Sequence, residues 1–326
     1  MTWFVENRKD FQYSMNRIYK ALSISKQAVH QRLAAHERYV FELKTLEMLV
    51  TEIRQDHPRM ALRIIHKKLQ PKRIGRDAFE AYFKREGFGV GRVRLFHRTT
   101  DSRGVTRFDN LIMDIKLRRI NQVWVSDITY IQIGARFYYL TFILDSFSRK
   151  IVGHCASQRL FTDQTTIPAL RMALKRRRIN KNSGTQLIFH SDGGGQYYQK
   201  EFIGLLKRLN IRSSMAETVY ENSKAERING IIKNNYLNCW SIKTYSDLVK
   251  NLDRAVSLYN SEKPHKALDW LTPIAFEERC TLFALEQKTE GDEVIDGKDK
   301  MNGASSPIHL GNKKPQAQNV SMEIQV

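Results

Sequence analysis

Three acids on separate stretches of this chain carry the first chemical signal. Asp127 lies inside VWVSDITYIQI, a β-branched and aromatic run of strand type. A carboxylate there is costly to bury unless a partner or metal compensates, the alternative being a side chain facing water on a one-sided sheet. Asp192 ends LIFHSD and precedes Gly193-Gly194-Gly195. Ligands of α/β sheets bind at strand C-termini and glycines admit close backbone approach, although Asp-Gly is also an ordinary turn. No GK[ST] follows, which excludes a Walker loop. Glu226 falls in the first turn of SKAERINGIIKNNYL, where an acid can simply complement the helix dipole. Asn229, Gly230 and Lys233 share its face, and the lysine stands where it could hold a phosphate. Each acid is ambiguous alone. Together they are the hard-oxygen ligands that Mg²⁺ takes, and two such ions about 3.5–4 Å apart stabilise both oxygens of an in-line phosphoryl transfer.

Composition narrows the substrate. The 326 residues carry a formal charge of +20 with a pI near 9.9, a balance that favours a polyanionic partner, usually nucleic acid. Cys155, Cys239 and Cys280 form no CxxC pair, which suits a reducing compartment and argues against structural zinc. The start, MTWFVENRKDFQYS, has no apolar signal core, and YYLTFIL is cut short by Asp145. The expectation is a cytoplasmic protein with no membrane partner.

The elements that must position the acids read as follows. Residues 1–56 are helical: FQYSMNRIYKAL, a short SIS break with Ser25 as N-cap, KQAVHQRLAAHERYV, and a further helix carrying Leu43, Leu46, Val50 and Ile53. Lys26, Gln27, His30, Gln31 and Arg32 on the second helix suit a helix-turn-helix, with a plain helical hairpin as the alternative. His57-Pro58 breaks the pattern, and residues 57–86 form a second helical, basic unit. Residues 87–121 read as a linker and residues 281–326 as a disordered tail. Between them, residues 122–280 give three hairpin-linked strands, then helix, strand, helix, strand and helices. The first of these helices is TDQTTIPALRMALKRRR, capped by Thr162 or Asp163. The expected fold is α/β, a mixed five-stranded sheet with helices on its faces.

With these residues in hand, the sequence resembles the DDE transposases of bacterial insertion sequences, which share the retroviral integrase catalytic core. The resemblance rests on HPRMALRIIHKKL, VWVSDITYI, LDSFSRKIVG, HSDGGGQY, YENSKAERINGIIKN and YNSEKPHKALDWLTPIAFE in that order, over residues 57–280. It implies an RNase H-like core and a catalytic, metal-binding triad of Asp127, Asp192 and Glu226. It also implies Mg²⁺ or Mn²⁺, two ions, and cleavage of transposon ends to free a 3′-OH that then joins another strand. Implied partners are terminal inverted repeats, target DNA and further copies of the chain, at least a dimer. Lys233 matches a DNA-contacting lysine; Asn222 and Gln196 fall on motif positions, and His190 reads as a packing or hydrogen-bonding residue. The 33 residues between Asp192 and Glu226 are two short of the family's usual spacing, the deficit falling in MAETVY. Glu221 is the nearest substitute for Glu226. The rival expectations are a nuclease of the same fold that does not join strands, and a decayed copy that only binds inverted repeats.

Overall fold

A computed structural model of the chain describes residues 14–91, 108–183, 186–216 and 222–283. Glu221, the loop 217–220 that carries the shortened spacing, and nearly all of the expected tail lie outside the described residues. The chain divides into two compact units, residues 1–91 and 92–326.

The first unit is helical. Helix α1 (Met15–Ala21) is followed by a turn and α2 (Lys26–Asp56), which opens on Ser25, whose hydroxyl accepts the Ala28 N–H at 3.1 Å. The sequence divides residues 26–56 into two helices; the structure has one of 31 residues. Nothing between Tyr39 and Leu43 breaks it, since YVFEL contains neither glycine nor proline. It stops where His57-Pro58 begins, and the Arg54 guanidinium caps the turn by donating to the carbonyls of Pro58, Met60 and Phe88. Helices α3 (Leu62–Leu69) and α4 (Arg76–Arg85) then fold back. Leu43, Leu46 and Val50 of α2 pack with Ile65, Phe79 and Phe83 as one core. The three-four spacing of Leu43, Leu46 and Val50 therefore marks a stripe facing this core.

The second unit is built on a mixed sheet in the order β3-β2-β1-β4-β5, comprising β1 (Val123–Ile133), β2 (Arg136–Asp145), β3 (Ile151–Ser157), β4 (Ile188–Ser191) and β5 (Arg212–Met215). Strands β1, β2 and β3 pair antiparallel, whereas β4 runs parallel to both β1 and β5. Gly134 takes the positive φ (+59°) that the two-residue turn between β1 and β2 needs. Helices α5 (Thr166–Arg177) and α6 (Lys200–Arg208) cover one face, packing on Trp124, Ile143, Val152 and Phe189. Helices α7 (Ser223–Asn235) and α8 (Tyr245–Ser261) cover the other, packing on Val123, Val125, Leu140 and Ile188. The expected α/β arrangement, a mixed five-stranded sheet with helices on both faces, is present.

Helix α5 starts later than either expected cap. Thr165 holds the N-cap position, and its hydroxyl donates back to Phe161 O at 2.7 Å instead of accepting from the helix. The close seat of α5 on β3 depends on Gly153, where an added Cβ would stand 2.3 Å from Ala169 O. Residues 108–121 fall inside the stretch read as linker, yet Leu111, Ile112, Ile115 and Leu117 pack against the core under α7 and α8. Their apolar spacing is too irregular to show a helix or strand, so sequence periodicity passes over them. A last helical stretch over 273–283 docks through Glu277, which takes both guanidinium nitrogens of Arg177 and the Lys150 ammonium.

Candidate active site

The parallel pairing of β1 with β4 places the first two acids. Their last rungs are Val125 with His190 and Ser126 with Ser191, so Asp127 and Asp192 each stand one residue past the final pair. Strand alternation sends Asp127 to the face of Val123 and Val125, and Asp192 to that of Ile188. Both therefore meet under α7, at the C-terminal end of the parallel pair.

Helix α7 lies along β1 with one stripe turned towards it: Asn222, Glu226, Asn229 and Lys233, spaced four, three and four. The contacts climb the strand in step. Asn222 Nδ2 donates to Ser126 O at 3.0 Å, and Asn229 Nδ2 to Asp127 Oδ2 at 2.8 Å. The Lys233 ammonium donates to Tyr130 O at 2.9 Å and lies 4.9 Å from the Tyr130 ring centroid. Glu226 occupies the remaining position on this stripe and stays exposed to solvent.

Electrostatics tie the three acids together. Asp127 is pushed up to about 7, first by burial and then by the negative charges of Asp192 and Glu226, against the lowering pull of the Ile128 N–H and Asn229. Burial also raises Asp192, opposed by the Gly194 N–H that reaches its Oδ1 at 3.1 Å. Gly194 suits this loop, since a Cβ there would sit 3.0 Å from that same oxygen and press on the Asp192 carboxylate. Beneath them, the buried Tyr197 hydroxyl meets Ser126 Oγ at 2.9 Å and is raised by burial and by both aspartates. A buried carboxylate raised by two neighbouring acids is the kind of group that a hard cation would stabilise. Among the described residues no three His, Cys, Asp or Glu side chains already converge as a finished metal cage.

The other sequence candidates divide. Asn222 is buried at 2% exposure, so it braces α7 on β1 instead of facing DNA, a correction to its expected role. Gln196 is partly exposed, and its amide donates to Leu160 O at 3.3 Å. Lys26, Gln27, Gln31 and Arg32 line the exposed side of α2, in the first unit. His190 is fully buried against Ser214 Oγ at 2.9 Å, consistent with a hydrogen-bonding role. The residue the sequence reading left out of the site is Asn229. Its signal was present, three residues after Glu226 on the same helix face, but only the structure shows it holding Asp127.

Residues 118–220 match the integrase core domain family, and residues 208–273 match a second family with the same description. Over 211 residues the chain is 28% identical to the uncharacterized 31 kDa protein of insertion element IS600 from Shigella sonnei, covering 63% of this chain and 76% of that one. Over 150 residues it is 34% identical to transposase InsF for insertion sequence IS3A from Escherichia coli K12, covering 45% and 50%. Over 191 residues it is 31% identical to the transposase for insertion sequence element IS629 from Shigella sonnei, covering 58% and 62%. The matched stretch thus spans half to three quarters of these relatives.

Proposed function

We propose that this chain, related through its integrase core to the transposases of bacterial insertion sequences, is itself a DDE transposase. It cuts the ends of its element to free a 3′-OH and joins that hydroxyl to another DNA strand. The observation that carries the reading is that Asp127 and Asp192 stand together one residue past the last rung of a parallel strand pair, with the charges of Asp192 and Glu226 raising Asp127.

Asp127, Asp192 and Glu226 would hold Mg²⁺ or Mn²⁺, as two ions, which when bound supply Lewis-acid stabilisation of the attacking and leaving oxygens. Asp127 is held in one orientation by the Ile128 N–H and by Asn229. Glu226, exposed on the same stripe of α7, would complete the ligand set. Lys233 spends two of its three N–H donors on Thr129 and Tyr130, leaving one for a phosphate. The +20 charge supplies the hold on the DNA backbone, with Lys26, Gln27, Gln31 and Arg32 offered for end recognition and Gln196 beside the acids. Bringing two ends together requires at least two copies.

The test is incubation with labelled DNA from the ends of the element in Mg²⁺ or Mn²⁺, with Asp192→Asn alongside. Joined products that need metal and vanish in the variant establish the reading. Cleavage without joining would turn it into a nuclease, and binding with neither product into a repressor.

A further inference from the structure

On the side of α7 away from the acid stripe, four basic groups gather beside Lys224 with no counter-ion among the described residues. Arg227 follows Glu226 in sequence, Arg149 comes from the turn between β2 and β3, and Lys263 and His265 from the segment after α8. Three of them meet Tyr259, which is 1% exposed. Its hydroxyl donates to Arg149 O at 3.1 Å, the His265 ring meets its ring edge-on with centroids 4.9 Å apart, and Lys263 Nζ lies 5.8 Å from its centroid. Asn260 locks this end of α8 to the sheet, exchanging 2.9 Å bonds with Ile151 N and O.

Basic side chains at a surface commonly extend their charged heads into water. Here Arg149 Nε and His265 Nε2 are buried and have no hydrogen-bond partner among the described residues. Nor do Arg149, Arg227 or Lys263 pair with a carboxylate within 4 Å among those residues, although ion pairs form elsewhere in the unit. The cations feel one another instead. Lys263 is pushed down to about 8 by burial and then by Arg227. His265 is held neutral by burial and by Lys263, Arg149 and Arg227. Glu262, the adjacent acid, acts on Tyr236. Uncompensated like charge of this kind destabilises a fold, and a bound anion removes the penalty.

We propose that Arg149, Arg227, Lys263 and His265 form a pocket for one backbone phosphate of the DNA strand that leads to the carboxylates. The guanidinium groups offer paired N–H donors, Lys263 a point charge and His265 a neutral donor. Arg227 adjoins Glu226, so a phosphate held here fixes the strand one helix face away from the reacting bond. The inference rests on the transposase reading, because DNA supplies the phosphodiester.

The test measures binding of a fluorescent duplex from the element's end to the full chain, without divalent metal, across a salt series. Lys263→Gln is expected to reduce the slope of log Kd against log salt by about 0.9, the value for one lost phosphate contact. Lys263→Arg keeps the slope, and so does Lys250→Gln, which removes an exposed charge on α8 outside the pocket. With DNA absent, Lys263→Gln should also melt higher than the parent, because it relieves repulsion. Arg227→Gln provides the same slope test if Lys263→Gln has no thermal transition. An unchanged slope in a folded variant, or an equal loss in Lys250→Gln, overturns the pocket. Wild-type protein that neither binds nor joins DNA overturns the transposase reading instead, so the two failures are distinguishable.

Discussion

Asp127 carries a cost that the proposed metal site would offset. Its carboxyl is raised from 3.8 to about 7, so the folded protein binds a proton there more readily than the unfolded chain does. That contribution to stability is full below about pH 3.8 and is lost as pH rises through about 7. Metal-free protein should therefore melt lower at pH 8 than at pH 5.5 on this account, and added Mg²⁺ should narrow the gap. Asp127→Asn removes the like charge and should stabilise metal-free protein at pH 8 by on the order of 1–2 kcal/mol, while abolishing cleavage. Melting in a chelator checks the first half; an unchanged or lower melting temperature would count against it. Asn229→Ala leaves Asp127 without its side-chain donor and should weaken divalent-ion binding about 10- to 100-fold, the scale of lost support behind a metal ligand. Calorimetric titration with Mn²⁺ reads this directly, and an affinity equal to wild type would remove Asn229 from the site.

At the scale of elements, the acids are only as well placed as the strands and helices that carry them. Gly153 lets α5 sit close to β3, and a Cβ there would meet backbone 2.3 Å away. Gly153→Ala should cost about 1–3 kcal/mol by overpacking, read as a lower urea midpoint, and an unchanged midpoint would show that α5 can shift freely. Most of this framework was legible because strand alternation, helix spacing and turn glycines all agree along residues 122–261. The cap at Ser25 was legible for the same reason. What was not legible depended on partners distant in sequence. Thr165 takes the N-cap position of α5 because the chain turns first through residues 161–165, which no local preference announces. The single helix over residues 26–56 was hidden by reading an apolar stripe as a separate element. Asn222 matched a motif position, but only the packing of α7 on β1 shows that it is buried.

At the scale of the molecule, each compact unit owns a core. In the first, Val50, Ile65, Phe79 and Phe83 are wholly buried within residues 14–91. A fragment of residues 14–91 should therefore keep its helices and unfold cooperatively by circular dichroism; a featureless melt would refute that independence. In the second unit, the order of the strands has a consequence in time. The β1–β2 hairpin is local and can form early, whereas the parallel partner of β1 arrives only with residues 188–191. Asn229 and Asp127 meet across 102 residues of chain. Contacts of such long range form late, after the hairpins. A chain still emerging from the ribosome thus holds Asp127 in a finished hairpin with neither of the other acids beside it. On the proposed function, cutting must wait for this last assembly, so a copy truncated before α7 should leave DNA uncut.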